Sequence, residues 1–168
     1  MKGRQFLVME YGERGSLKDF LQKYSQPVAD DPESPNIPQL TKFAQQIAKG
    51  MAYLASKRVV NSGLASRNVV LSELLVAKVI DFGLTRKAEF YYPMRNSSHV
   101  PLKWMAPGSV CEKLFTTKSD VWSLGVLRGE LLSLGEMPAF NITNDEFLRA
   151  LRNGMVCKTE FDKANEDS

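Results

Sequence analysis

At 168 residues the chain is long enough for one domain of ordinary size with its own core, and short for two. Apolar residues make up 43% and charged residues 24%, which excludes collagen-like, low-complexity and wholly disordered chains. The 22 Lys and Arg against 19 Asp and Glu leave a net charge of +3, too small and too scattered to signal nucleic acid or an anionic membrane. Cys111 and Cys157 lack CxxC spacing and neighbouring ligands, which argues against a disulfide framework or a zinc site and fits a reducing compartment. The apolar stretch Phe6 to Met9 is only four residues long, so neither a signal peptide nor a membrane span is expected, and the chain reads as soluble and cytoplasmic.

In chain order, residues 4 to 11 read as a short strand, broken by Gly12 and Gly15 before a short helix with Ser16 as N-cap. Between Ser25 and Pro38 lie four of the eight prolines, a composition that predicts an exposed loop. Leu40, Phe43, Ala44, Ile47, Ala48, Met51 and Ala52 recur at helical spacing, which predicts an amphipathic helix over 38 to 56 with Pro38 in its first turn. Three β-like runs follow, 58 to 60, 68 to 71 and 76 to 80, as small hairpin-like elements set on that helix. Residues 83 to 107 show no sustained periodicity and read as one long loop. From Lys118 to Leu134 apolar residues lie almost all round, predicting a helix buried on most faces. A last helix, about 144 to 153, opens on the capping pattern Thr143-Asn144-Asp145-Glu146 and stops at Gly154, ahead of a polar tail.

Four segments then fall in order: Leu64-Ala65-Ser66-Arg67-Asn68, Asp81-Phe82-Gly83, Lys103-Trp104-Met105-Ala106-Pro107, and Ser119-Asp120-Val121-Trp122-Ser123-Leu124-Gly125. Together they resemble the C-terminal lobe of a protein kinase, and the LAxRN and KWMAP forms are similar to tyrosine kinases of the receptor type. The resemblance implies a mainly α fold with short β-hairpins (α+β), with the N-terminal lobe and the terminal helices of that fold absent. It implies a partial kinase-like domain over 1 to 157, from the hinge strand to the helix ending near 154, and a polar tail over 158 to 168.

In this family the catalytic loop reads H-R-D-L-x-x-x-N, where the Asp accepts the substrate proton and the Asn holds magnesium. Here the loop reads Asn61-Ser62-Gly63-Leu64 with Asn68 in place, so glycine stands at the base position. Asp81 is, by resemblance, the second magnesium ligand, with Asn68 beside it; the plainer reading has Asp81 capping a turn and Asn68 satisfying local backbone. Met9, Glu10 and Gly12 resemble the hinge that holds adenine, with Met9 in the gatekeeper place. ATP and Mg²⁺ are therefore the implied cofactors, bound weakly or not at all. Arg67 stands near the place of an incoming tyrosine, or else in an ion pair. Lys78 belongs to the strand entering Asp81 and not to the phosphate-pairing strand that Val76-Ala77-Lys78-Val79 mimics.

Tyr91 and Tyr92 stand where activation-loop tyrosines occur, with Arg86, Lys87, Arg95 and Arg67 as counter-ions if phosphorylated, or else as half-buried aromatics. His99 has no recognisable partner. Asp120 either caps the catalytic-loop backbone or serves as a plain N-cap. Gly108 follows Ala106-Pro107 where the family has Glu, and Arg128 with Gly129 interrupts the helix expected to be buried, which predicts a weakened core. Three functions remain open: a degenerate tyrosine-kinase-like binding module, a tyrosine kinase completed by an N-terminal lobe, or a non-functional fragment. The implied partner is a kinase domain or a phosphotyrosine-reading protein, with no nucleic acid and no membrane segment.

Overall fold

The computed structural model describes residues 9–25, 31, 34–81, 85–87, 101–138 and 141–152. Among the described residues five helices carry the architecture: α1 (Leu17–Lys23), α2 (Ile37–Ser56), α3 (Pro107–Cys111), α4 (Thr117–Leu132) and α5 (Asn144–Arg152). Four short strands accompany them: β1 (Val59–Val60), β2 (Val69–Leu71), β3 (Ala77–Val79) and β4 (Arg86–Lys87). The mainly helical α+β fold expected from the sequence is thus present. The strand expected over 4 to 11 is irregular across Met9–Tyr11, and residues 4–8 lie outside the described residues.

Local chemistry sets the helix ends. The Ser16 hydroxyl accepts the Asp19 N–H at 3.1 Å and opens α1. The Asn36 side chain accepts the Gln39 N–H at 3.0 Å and opens α2, whose first turn holds Pro38. Thr116 and Ser119 close a reciprocal capping box at α4, and Thr143 with Glu146 closes another at α5. Leu40, Phe43, Ile47 and Met51 line the buried stripe of α2, the face that periodicity alone assigns to the core.

β2 and β3 form an antiparallel hairpin in the register Val69↔Val79, Val70↔Lys78 and Leu71↔Ala77, which α2 supports through the Gln46 side-chain Oε1 accepting the Ala77 N–H. On the other side of β2 the segment 12–16 adds itself: Arg14 N–H donates to the Leu71 carbonyl, Leu71 N–H donates to Gly15, and Ser16 bridges Val70. Gly12 is needed there, because a Cβ would fall 2.6 Å from Val70 Cβ. The principal core joins α1, α2, the hairpin and α4, with Phe20 packed edge-on against Phe43 at 5.9 Å between ring centres. A smaller cluster of Met105, Val110, Phe147 and Leu151 joins α3 to α5.

Two expectations are corrected. Residues 83 to 107 are not one loop: β4 pairs with β1, a 3-10 turn spans Leu102–Trp104 and α3 begins at Pro107, while residues 88–100, with Tyr91, Tyr92, Arg95 and His99, lie outside the described residues. Elements of two to five residues are too short for periodicity to reveal. Nor is α4 buried on most faces. Leu127, Glu130 and Leu131 face the core, whereas Val121 is 68% exposed and Gly125, Arg128, Gly129 and Leu132 stand in the open. Arg128 is therefore no buried charge, and the predicted weakening from it does not arise. Cys111 is a free, exposed thiol; Cys157, Gly154 and the tail 158–168 lie outside the described residues.

Candidate functional site

The loop between β1 and β2 is bent by Ser62 at φ +62° and held from beneath by α4. Asp120 accepts the Asn61 N–H at 2.8 Å and the Ser62 N–H at 3.0 Å, so of its two readings the loop anchor is the one present, and Thr116 is the N-cap of α4. Burial pushes the Asp120 carboxyl above its ordinary value, opposed by these two backbone donors. Asn61 is buried and accepts the Gly63 N–H through Oδ1 at 3.0 Å, while Asn61 Nδ2 and Ser62 Oγ lie buried with no hydrogen-bond partner among the described residues.

Gly63 is buried and its carbonyl accepts Asn68 Nδ2 at 2.7 Å. That bond orients the amide and turns its carbonyl oxygen, a hard donor, to the remaining side. The Asn68 backbone carbonyl accepts the Ile80 N–H at 2.9 Å, one step beyond the β2–β3 ladder. Asp81 follows directly, exposed and at φ +59°. The hairpin therefore brings Gly63, Asn68 and Asp81 to one end of the same two strands. An amide oxygen and a carboxylate suit Mg²⁺, which takes few protein oxygens and keeps several waters. Among the described residues no cluster of three or more His, Cys, Asp or Glu forms a richer metal site.

The segment 9–12 reaches the hairpin at two points. Gly12 lies against Val70 and Leu71, and Glu10 forms an ion pair with Lys78 on β3. Lys78 thus sits on the strand entering Asp81, as its sequence position implies. Met9 is 50% exposed beside Glu10. Phe82 and Gly83 lie outside the described residues, and of Arg86 and Lys87 only the backbone is described.

Glu130, which no sequence motif singles out, is the most heavily bonded carboxylate of the region. At 2% exposure it accepts the Ser66 N–H at 2.9 Å, the Ser66 hydroxyl at 2.5 Å and the Trp104 indole N–H at 2.8 Å. Its signal was present: a charge in the same stripe as Leu127 and Leu131 must find donors. Arg67 forms no ion pair with a described residue; its guanidinium lies over the Trp104 ring at 4.4 Å. The Ser123 hydroxyl donates to the Trp104 carbonyl at 2.8 Å. The loop is thus tied to α4 and to the segment 102–104 through one carboxylate and one indole.

A family model for protein tyrosine and serine/threonine kinases matches residues 1–166. The chain is 37% identical over 161 residues to fibroblast growth factor receptor 2 of Dugesia japonica, covering 91% of this chain and 18% of that protein. It is 42% identical over 161 residues to fibroblast growth factor receptor homolog 1 of Drosophila melanogaster, covering 87% of this chain and 22% of the relative. The chain spans about a fifth of the length of these relatives.

Proposed function

This chain belongs to the protein tyrosine and serine/threonine kinase family, and we propose that within it the chain is a tyrosine-kinase-like binding module without phosphotransfer. The observation that carries this reading is Gly63, which offers no side chain at the base position. The two buried carboxylates beneath the loop are engaged elsewhere, Asp120 by two backbone N–H groups and Glu130 by Ser66 and Trp104, so neither stands in for the base. A general base contributes a factor of about 10² to 10⁴, or about 3 to 5 kcal/mol of barrier. Nucleotide binding does not depend on that group. Asn68 and Asp81 would hold Mg²⁺, and Met9, Glu10 and Gly12 would meet the adenine. Bound Mg²⁺ would neutralise phosphate charge, and the residues of this chain hold and orient it.

The same reading takes 1 to 157 as the kinase-like unit and 158 to 168 as a tail, in the cytoplasm. Tyr91 and Tyr92 are its phosphorylation sites, and its partner is a kinase domain or a phosphotyrosine-reading protein. Among the described residues no helix is long and apolar enough to cross a membrane.

Two measurements test this. Mg²⁺-ATP is expected to raise the melting temperature of the chain by mass action, and Asp81→Asn to remove the shift. Transfer of phosphate to poly(Glu,Tyr) is expected to be absent, and transfer that vanishes in Asp81→Asn would overturn the reading. A second reading, a kinase active once an N-terminal lobe completes it, is favoured by the Asn68–Gly63 bond, which keeps the loop framed. Under that reading a protein extended by such a lobe transfers phosphate, and Gly63→Asp raises the rate by the factor given above.

A further inference from the structure

Between Glu33 and Glu73 the sequence holds no acid, yet it carries Lys42, Lys49, Lys57, Arg58 and Arg67. Most of that run is α2 and its C-cap Lys57, so the structure gathers a charge that looks scattered in the sequence. Turns of about 100° per residue put Lys42, Lys49 and Tyr53 within about 40° of one line along the helix. Lys57, the C-cap one turn beyond Tyr53 and about 40° round from it, places its ammonium over the Tyr53 ring at 5.5 Å.

All four side chains are exposed, Tyr53 to 63%. None of Lys42, Lys49 and Lys57 forms an ion pair with a described residue. The helix has no acid with which to build the (i, i+4) pairs that usually neutralise such a face. We propose that this outward face of α2 docks an acidic segment of a partner protein. Its carboxylates meet the three lysines, and an aromatic or apolar side chain lies on Tyr53.

Other anionic surfaces fit less well. The apolar stripe of α2, Leu40, Phe43, Ile47 and Met51, is committed to the core, and the exposed Ile37 and Tyr53 are too few to make a face that sinks into a lipid interface. A single stripe on a chain of net charge +3 is narrow for a nucleic-acid backbone. An extended peptide matches it in scale. Lys42 and Lys49 are about 10 Å apart along the helix axis, which is about three residues of extended chain. An exposed Tyr is also among the residues enriched in protein-binding hot spots.

The test uses fluorescein-labelled poly(Glu,Tyr) as the acidic probe and reads anisotropy with the whole chain. The double variant Lys42→Glu, Lys49→Glu is expected to weaken binding about tenfold, and Tyr53→Ala about threefold. Affinity is expected to fall with added salt. Lys113→Glu with Lys118→Glu, an equal change of charge ahead of and on α4, is expected to leave affinity within about twofold. Circular dichroism confirms that each variant folds, and Lys42→Gln with Lys49→Gln supplies a milder pair. Unchanged binding in the double variant overturns the proposal, because the probe is then held elsewhere, such as beside Arg67. An equal loss in the Lys113→Glu, Lys118→Glu variant also overturns it, since net charge alone then explains binding. Displacement of the probe through the same lysines by phosphatidylserine vesicles or duplex DNA assigns the face to that other occupant instead.

Discussion

Glu130 occupies a stripe position that leucines share, and three donors converge on it. Glu130→Ala leaves the Ser66 N–H, the Ser66 hydroxyl and the Trp104 indole N–H buried without an acceptor, at a cost of about 3 to 5 kcal/mol. Glu130→Gln keeps one oxygen for both N–H donors and lets the amide donate to the Ser66 hydroxyl, so its loss is expected to stay within about 1 kcal/mol. Urea denaturation of the two variants measures the difference. Equal losses would mean that the side chain's volume, and not its acceptors, holds the loop. Asn68 and Asp81 stand out in the sequence because they occupy recognisable positions of the kinase motifs they resemble. The anchors Glu130, Ser66 and Trp104 could not be paired in advance, because their bonds cross up to 64 positions of chain.

At the scale of elements, α1, α2 and α5 are legible because caps and a single apolar stripe agree. The reading of α4 fails on its outer side for a physical reason. Apolar composition all round a helix predicts burial only if something lies on every face, and the described residues cover one. This has a direct consequence for its glycines. A Cβ at Gly125 or at Gly129 meets nothing within 4 Å, so neither glycine serves packing. Gly125→Ala and Gly129→Ala are each expected to stabilise the fold by about 0.5 to 1 kcal/mol through helix propensity. Gly12→Ala is expected to destabilise by about 1 to 3 kcal/mol, because its Cβ must push into Val70. Thermal melts of the three variants check both signs. The turn of 102–104 and the strand β4 remained hidden because their conformation is imposed by α4 and β1 rather than by local pattern.

For the whole molecule, two carboxyls give opposite pH slopes. The folded state holds the Asp120 proton more tightly than the unfolded chain does, because burial raises this group above 3.8. Its contribution to stability is therefore greatest below 3.8 and declines as pH rises through the raised value. Glu146 behaves in the reverse sense: the Thr143 N–H and hydroxyl hold it below 4.5, so its contribution is present above 4.5 and lost as pH falls through the lowered value. Denaturation across the acid range is expected to show wild-type stability falling, relative to Asp120→Asn, as pH rises. Relative to Glu146→Gln, it is expected to rise with pH.

The clamp around Trp104 also makes the molecule report optically on its own interior. A guanidinium lies on one face of this indole and a carboxylate accepts its N–H, whereas the chain's other tryptophan, Trp122, lies on α4 outside that arrangement. Charges held at fixed places around an indole shift its excited-state energy, so the two rings emit differently while the clamp is closed. Release of the loop between β1 and β2 from α4 returns Trp104 to ordinary surroundings. Tryptophan emission thus follows the docking of the candidate site without any added label.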